Sequence, residues 1–507
     1  MSSKQGYRLI SIMIAFVVCL LVIAGVSSGA EKVIRVAVGI DATSLDPPMS
    51  TNLTDKNTTS QIYDTLIFRN KEMKLEPHLA TSWKIINNTT WEMELRKGIK
   101  FHNGEEFNAE AVKFSIERIL DPAMKAPSFA QFTAIKGVKI IDPYKVHIET
   151  KEPYPVLPAV LAECWAVPPR YTQEKGKEFL AKNPVGTGPF EFVKWLKDER
   201  VEMKANKHYW KGAPKIDRVF FMPVPERGTR IAMLKTGEVD IVSDIPPFMV
   251  KELKSDANIQ VATAGGARAY FLGIDTLRKT PLADPKVRLA LNYAIDADKI
   301  IETTLNGYAS RLATLLTPRQ FGYDPSIKPY KYDLEKAKKL LAEAGYPNGF
   351  LIDFDTPDGR YPMDKEVAQV IAGQLTKAGI KINLHVREWG NFIAQFRTEK
   401  GDLAPMWYMG WSIPTFDADA ILFALCTPGK TYGRYSTEEG AKLLTDARNT
   451  MDRDKRLSLY HKALKLIHQD SAFVPLFQLT DIYGIRKGIK WEPRTDERIL
   501  LFDADKE

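Results

Sequence analysis

The chain has 507 residues, a formal net charge of +8 and 44% hydrophobic residues. This length allows two to four compact domains, and the apolar content is sufficient for folded cores, which excludes a disordered chain. Three cysteines exclude a disulfide-rich scaffold, and a single long apolar stretch excludes a multi-span membrane protein.

The first 30 residues have the pattern of a secretory signal. Lys4 and Arg8 precede an apolar run over residues 9–25. Small residues at Ser28 and Ala30 predict cleavage after Ala30. An uncleaved N-terminal anchor is the alternative, because the apolar run is long. In both cases we expect the remainder of the chain to be exported.

The exported part is only mildly basic. Removal of residues 1–30 takes away two basic residues and no acid, which leaves a net charge of +6. Basic residues are interleaved with acids, so the sequence argues against a nucleic-acid partner. Cys164 and Cys426 remain in this part. They could pair in an oxidising compartment, but two buried free thiols are the favoured interpretation.

Strand and helix patterns alternate along the chain, which predicts an α/β or α+β architecture. Residues 33–38 are typical of a first strand, and alternation of Trp91, Met93 and Leu95 with polar residues predicts a half-buried strand. Asn108 is an N-cap for a helix that reaches about Ile119.

Helix boundaries are also marked later in the chain. Asp284 and the proline after it predict a helix start, and a second short helix is expected from residue 297 to 305. Asp333 caps a helix that ends at Gly345. Residues 436–439 form a capping-box pattern before another helix. These features describe the scaffold and carry no function.

Motifs for catalysis are absent from the sequence. There is no Gly-x-Ser-x-Gly elbow and no phosphate-binding glycine loop. The seven histidines form neither an H-E-x-x-H motif nor a Cys/His cluster. We therefore predict no enzyme activity, no cofactor and no metal site.

Aromatic and acidic residues cluster around glycine and proline late in the chain. Residues 407–411 read Trp-Tyr-Met-Gly-Trp, and Pro414, Phe416, Asp417 and Asp419 follow. Such residues can form rigid walls against a ligand, with carboxylates that meet an amine. On local grounds a buried core is an equally good interpretation.

Several segments resemble one family, the family 5 extracellular solute-binding proteins of peptide and nickel ABC importers. The longest matches are residues 80–83 and 94–115. Shorter matches follow the family's order across residues 31–507; they are Ser44–Pro47, Ile62–Leu66, Asn183–Phe190, Lys235–Asp240, Val287–Ile295 and Gly410–Trp411. The matched segments resemble the branch of this family that includes dipeptide- and glutathione-binding members.

The resemblance implies an α/β, two-lobe periplasmic binding protein fold with an inserted subdomain and a ligand cleft between the lobes. The expected boundaries follow the chain: signal peptide 1–30, lobe 1 at 31–57, inserted subdomain 58–190, lobe 1 again at 191–274, lobe 2 at 275–485 and the C-terminal segment of lobe 1 at 486–507. The chain is expected to cross between lobes near residues 270–273 and 483–485.

The resemblance also implies ligand-binding residues. Family members that bind short peptides place an acid after the Gly-Trp motif against the ligand amine, which points to Asp417 first and Asp419 second. The sequence after Trp411 departs from the family's common Asp-Tyr/Phe-Pro-Asp-Pro pattern, so the identity of this acid is open. The other expected contacts are a carboxylate partner, cleft aromatics and a loop at the cleft entrance; they are Arg360, Trp389, Trp411, Tyr408, Asn52 and Thr54.

The implied function is capture of di- or oligopeptides, with glutathione as one candidate, and delivery to a membrane permease. The protein is expected to be a periplasmic monomer. A nickel chelate or an oligosaccharide is the alternative solute on the same fold. A periplasmic hydrolase or chaperone-like protein is the alternative from another class.

Overall fold

The computed structural model describes residues 31–50, 52–398 and 403–507. The expected signal, residues 1–30, lies outside this part, so its cleavage stays a prediction. Among the described residues, no helix is both long enough and apolar enough to cross a membrane.

Strands and helices alternate from end to end, as the sequence predicts. The strands are β1 (Val33–Val38), β2 (Ile67–Arg69), β3 (Leu75–Pro77), β4 (Ala80–Asn87), β5 (Thr90–Leu95), β6 (Ile135–Asp142), β7 (Lys145–Thr150), β8 (Phe190–Leu196), β9 (Arg200–Ala205), β10 (Arg218–Pro223), β11 (Ile241–Val242), β12 (Ile259–Ile274), β13 (Ala309–Arg311), β14 (Leu351–Asp358), β15 (Lys381–Glu388), β16 (Met406–Ser412), β17 (Val474–Arg486), β18 (Ile489–Lys490) and β19 (Asp505–Lys506).

Helices cover the faces of the sheets. The longer ones are Leu53–Ile62, Ala109–Leu120, Pro169–Lys175, Arg227–Thr236, Val250–Ser255, Pro285–Ala294, Ala297–Thr303, Leu334–Glu343, Asp364–Lys377, Trp389–Phe396, Glu438–Asn449 and Arg453–Gln469. Short α-helical turns span Phe129–Phe132, Leu157–Leu161, Lys177–Leu180 and Ala424–Cys426, and a π-helical turn spans Asp419–Phe423.

One large sheet runs through both halves of the described molecule. Its order is β15-β14-β16-β12-β17-β11-β1-β10-β9-β8, and β13 also pairs with β17. Ile485 of β17 lies opposite Ile241 of β11, whereas Phe271 of β12 lies opposite Met409 of β16. The long antiparallel strands β12 and β17 therefore join lobe 1, around β1 and β8–β11, to lobe 2, around β13–β16.

The pairing of β12 with β17 is interrupted between the two lobes. Gly265 lies opposite Thr480, but the next paired residue of β12 is Ala269, opposite Gln478. The extra residues form a bulge, which bends a strand and re-aims its side chains. Both predicted crossings lie in these two strands.

Lobe 2 buries both faces of the sheet. Successive residues of β12 and β16 point to opposite faces, because side chains alternate along a strand. Leu272 and Tyr408 belong to one core, and Phe271 and Met409 belong to the core on the other face. Helices on both faces explain why these strands are apolar at almost every position.

A separate four-stranded antiparallel sheet is inserted between β1 and β8. Its order is β4-β5-β7-β6, and its own core includes Trp91, Met93 and Leu95, the alternating residues that predicted β5. Asn108 caps the helix over this sheet by accepting hydrogen bonds from the Glu110 and Ala111 amides.

Local helix signals are confirmed, with small corrections. Asp284 and Asp333 cap the helices expected after them. The helix expected at 297–305 ends at Thr303. In the 436–439 pattern the capping residue is Thr437, which accepts a hydrogen bond from the Gly440 amide. Cys164 and Cys426 are free and buried in different cores.

Candidate ligand-binding cleft

A cavity of about 1570 Å³ opens between the two lobes. Lobe 1 contributes the end of β1, the helix 53–62 and residues 243–249, and lobe 2 contributes residues 359–363 and the helix 389–396. Small-molecule sites usually measure roughly 300–1,000 Å³. The cavity therefore has room for a ligand larger than one amino acid, together with water.

Aromatic side chains of lobe 2 form one wall of the cavity. The rings of Trp389 and Phe392 stack with centroids 5.8 Å apart, and Phe396 stacks on Tyr432 at 5.1 Å. The Trp411 ring meets Tyr432 edge-on at 5.3 Å. Rings that pack against one another in this way are rigid and offer apolar faces to a ligand.

Arg360 lies on this aromatic wall. Its guanidinium is 5.2 Å from the ring centroids of both Trp389 and Tyr361. Asp364 fixes the loop, since its carboxylate accepts hydrogen bonds from the Arg360 and Tyr361 amides at 2.9 and 3.0 Å. Arg360 is exposed and forms no ion pair with a described residue. The stacked guanidinium can therefore meet a ligand carboxylate through two hydrogen bonds.

A second arginine comes from the strand that joins the lobes. The Arg268 guanidinium is 5.6 Å from the Tyr361 centroid and 3.9 Å from a Glu497 carboxylate oxygen. A Cβ atom at Gly410 would lie 2.6 Å from Arg268 Cδ, so only glycine leaves space for this side chain. Arg268 thus connects the aromatic wall to an acidic part of the cavity.

Two acids of lobe 1, Asp244 and Glu497, and Asp481 of the joining strand β17 line that part of the cavity; we call these three residues the acidic cluster. Burial raises the pKa of Asp481 well above its usual value, and Glu497 and Asp244 raise it further. Arg268 opposes this shift. Asp481 therefore keeps its proton to higher pH than an isolated acid does, and a cation bound beside it would favour its charged form.

Contacts between the lobes close the cavity on one side. Arg69, at the end of β2, donates a 2.9 Å hydrogen bond to the Thr415 carbonyl, and its guanidinium lies 5.0 Å from the Phe416 centroid. Arg319 of lobe 2 donates a hydrogen bond to the Lys71 carbonyl at 3.1 Å. These contacts hold the two lobes together across the cleft.

Five residues predicted from the sequence line the cavity: Asn52, Thr54, Arg360, Trp389 and Trp411. The Asn52 side chain also caps the helix 53–62, where it accepts a 2.8 Å hydrogen bond from the Asp55 amide. Contact of these five residues with a ligand stays a prediction.

Asp417, the acid expected to meet the ligand amine, does not line the cavity. Its carboxylate accepts two hydrogen bonds from the Arg456 guanidinium, at 2.6 and 2.7 Å, and the pair is buried. Asp419 is also buried outside the cavity wall, 3.7 Å from Arg448. Neither acid lines the cavity, so this geometry does not favour their predicted contact with a ligand amine.

Tyr408 also lies away from the cavity. Its side chain points to the face of β16 opposite Met409 and Trp411 and is fully buried, stacked on Tyr270 with centroids 6.0 Å apart. The alternation of a strand thus corrects its expected role as a cleft aromatic.

Sequence reasoning missed Arg268 and the acidic cluster. A signal for Asp481 was present, because it is the only acid in a strand, β17, whose other residues are mostly apolar. Gly265 and Gly266 inside β12 indicated a bulge or a close approach of another group. Nothing in the sequence indicated that Asp244 and Glu497 lie beside Asp481.

A large cleft with aromatic and charged walls, between lobes joined by two crossing strands, defines a two-lobe solute-binding protein. The family model for bacterial extracellular solute-binding proteins, family 5 Middle, matches residues 74–433. The chain belongs to this family of solute-binding proteins, which are not enzymes.

Individual relatives agree with this assignment. The chain is 34% identical to the glutathione-binding protein GsiB of Escherichia coli strain K12. The alignment spans 459 residues and covers 88% of this chain and 89% of GsiB. Solved structures also match, and two examples each cover 94% of this chain. The periplasmic binding protein DppA from Helicobacter pylori, in complex with peptide STSA, has 32% identity, 98% coverage and a TM-score of 0.78. The dipeptide-binding protein from Pseudoalteromonas sp. SM9913, in complex with Met-Leu, has 25% identity, 100% coverage and a TM-score of 0.79.

Proposed function

We propose that this protein captures short peptides, glutathione among them, and delivers them to the membrane permease of an ABC importer. One observation carries the proposal: the cavity places the stacked Arg360 guanidinium and the carboxylates of the acidic cluster in the same space. A peptide has a carboxylate and an ammonium group, and it needs a fixed partner for each. The ligands of GsiB, DppA and the Pseudoalteromonas protein, which are glutathione, the peptide STSA and Met-Leu, support the same class of solute.

Closure of the lobes explains how such a protein holds a polar ligand. Removal of water from the cleft strengthens each charge contact, because the effective dielectric constant falls. The aromatic walls and the water that remains in the cleft can accommodate different ligand side chains, so a specific pocket for each is not needed. The large cavity volume therefore suits a family of peptides better than one small ligand.

The cellular setting belongs to the proposal. We infer that residues 1–30 are a cleaved signal and that the mature chain acts in the periplasm as a monomer that binds no nucleic acid. We also keep the predicted boundaries of the subdomain (58–190) and lobe 2 (275–485) as proposals. The inserted sheet β4–β7 and the end of β12 at Ile274 support them.

A thermal-shift panel on residues 31–507 tests the function after unfolding and refolding have removed bound ligand. The panel holds Ala-Ala, Ser-Thr-Ser-Ala, glutathione, nickel with histidine, and cello-oligosaccharides. A ligand at 100 times its Kd adds about 2.7 kcal/mol to the free energy of unfolding. We expect peptides to raise the melting temperature. A shift with nickel-histidine or a sugar alone would contradict peptide capture.

A further inference from the structure

The acidic cluster contains a half-buried carboxyl group without a partner. Asp481 forms no ion pair with a described residue, and its Oδ2 atom is closed to solvent and accepts no hydrogen bond from the described residues. A buried charge that is neither paired nor hydrogen-bonded is strongly unfavourable. Burial and the neighbouring acids accordingly raise the pKa of Asp481 on the cavity wall, and a bound cation would stabilise its charged form.

The backbone around Asp481 is shaped to accommodate its carboxylate. A Cβ atom at Gly266 would lie 3.0 Å from Asp481 Oδ2 and 3.1 Å from the Leu479 carbonyl oxygen. Gly266 lies in the bulge of β12, where the pairing with β17 is interrupted. Glycine thus provides the space next to the carboxylate, and a larger residue would press against it.

The other two acids are held in strained backbone conformations. Asp244 has a φ angle of 58° and Glu497 has one of 63°, in the left-handed region that residues other than glycine rarely adopt. Such strain costs on the order of 1–3 kcal/mol and is typical of functional sites. Both side chains line the same cavity as Asp481.

The basic residues near the cluster do not hydrogen-bond to Asp481. Arg268 approaches Glu497 to 3.9 Å, beyond a hydrogen bond, and Arg230 interacts electrostatically with Asp244. Arg268 and Arg360 both lie within 6 Å of the Tyr361 ring, at 5.6 and 5.2 Å. The two ends of the cavity therefore differ in character: the acidic cluster lies beyond Arg268, and a basic, aromatic region surrounds Arg360.

We propose that Asp481, supported by Asp244 and Glu497, is the binding site for the ammonium group of the ligand. This inference rests on the proposed function, since it concerns the same cavity, and it names a contact that Asp417 and Asp419 cannot supply. A primary ammonium has three donors and a positive charge, which match these carboxylates. The ammonium can be the α-amine of a peptide or a lysine side chain.

Isothermal titration calorimetry of residues 31–507 tests the proposal with matched probes. The probes are Ala-Ala, N-acetyl-Ala-Ala, N-acetyl-Lys-Ala and cadaverine, an amine without a peptide group. The variant is Asp481→Asn, and the control is Asp503→Asn, an exposed acid that lines the same cavity. Urea unfolding of each variant verifies its fold, and Glu497→Gln serves as a second variant.

We expect Asp481→Asn to weaken Ala-Ala binding by about 10- to 100-fold and Asp503→Asn to change it little. N-acetylation should weaken binding to the wild type by a similar factor and have little further effect in Asp481→Asn. Retained, Asp481-dependent binding of N-acetyl-Lys-Ala would assign the site to a side-chain ammonium.

The remaining outcomes separate this inference from the proposed function. If Ala-Ala binds equally to the wild type and Asp481→Asn, the ammonium site is wrong and peptide capture stands. If cadaverine binds in an Asp481-dependent manner and no peptide binds, the site stands and peptide capture falls. Failure of all four probes to bind would contradict both the ammonium site and peptide capture.

Discussion

Two acidic regions of this molecule have similar residues and opposite environments. In lobe 2 the Asp417 carboxylate is buried against Arg456, which donates two hydrogen bonds to it. In the joining strand β17, Asp481 is half-buried on the cavity wall and has an oxygen that accepts no hydrogen bond from the described residues. A buried acid with a charged partner therefore stabilises the fold, whereas an acid without a partner is available to a ligand.

The largest expected effect comes from the partnered acid. Asp417→Asn leaves the Arg456 guanidinium buried without its counter-ion, so we expect the free energy of unfolding to fall by about 3–5 kcal/mol. Urea denaturation measures this change. The control is Asp446→Asn, which removes an exposed pair with Lys442 and should cost less than about 0.5 kcal/mol. Equal losses for the two variants would contradict a structural role for Asp417.

Asp419, a second buried acid of lobe 2, should make the free energy of unfolding depend on pH. Burial raises the pKa of Asp419 to about 6, and its interaction with Arg448 only partly opposes this. The folded protein therefore holds this proton at higher pH than the unfolded chain, and the stability from Asp419 is lost as the pH rises through about 6.

In Asp419→Asn the side chain does not titrate, so the loss of stability on raising the pH is absent. We expect the variant to gain on the order of 2 kcal/mol relative to the wild type between pH 4 and pH 8, as measured by urea unfolding across this range. A difference between variant and wild type that is constant with pH would contradict the raised pKa of Asp419.

Much of the scaffold was predictable because its signals are local. The caps at Asn108, Asp284 and Asp333 each depend on a few neighbouring residues, and the structure confirms all three. The alternation of Trp91, Met93 and Leu95 likewise gave β5 correctly.

The cleft was only partly predictable because its contacts are distant along the chain. Arg456 reaches Asp417 across 39 residues, and no local pattern indicates that pair. The acidic cluster forms because β11 pairs with β17 and the C-terminal segment packs beside them, which a linear sequence does not display. Arg360 and Trp389 were accessible to sequence reasoning only through the family resemblance.

We expect a smaller effect from a substitution at Arg360, and this effect concerns ligand affinity and not the stability of the fold. Arg360→Gln removes the charge above Trp389, so we expect about tenfold weaker binding of Ala-Ala, which equals about 1.4 kcal/mol. Ala-Ala amide, which has no carboxylate, is the matched ligand and should lose little. Calorimetry measures both affinities. An equal loss for the two ligands would show that Arg360 does not recognise a carboxylate.

The smallest expected effect concerns closure of the lobes. Arg69→Met keeps the apolar stem and removes the hydrogen bond to Thr415, so we expect a few-fold faster ligand release, about 0.5–1 kcal/mol. Stopped-flow displacement measures the release rate. An unchanged rate with unchanged affinity would show that this contact does not stabilise the closed state.

A crystal structure of residues 31–507 with bound Ala-Ala is the most direct test of the contrast between the two acidic regions. We expect the peptide ammonium within hydrogen-bond distance of Asp481, the peptide carboxylate at Arg360, and the Asp417–Arg456 pair intact. A peptide ammonium bound to Asp417 or Asp419, with Arg456 displaced, would contradict this expectation.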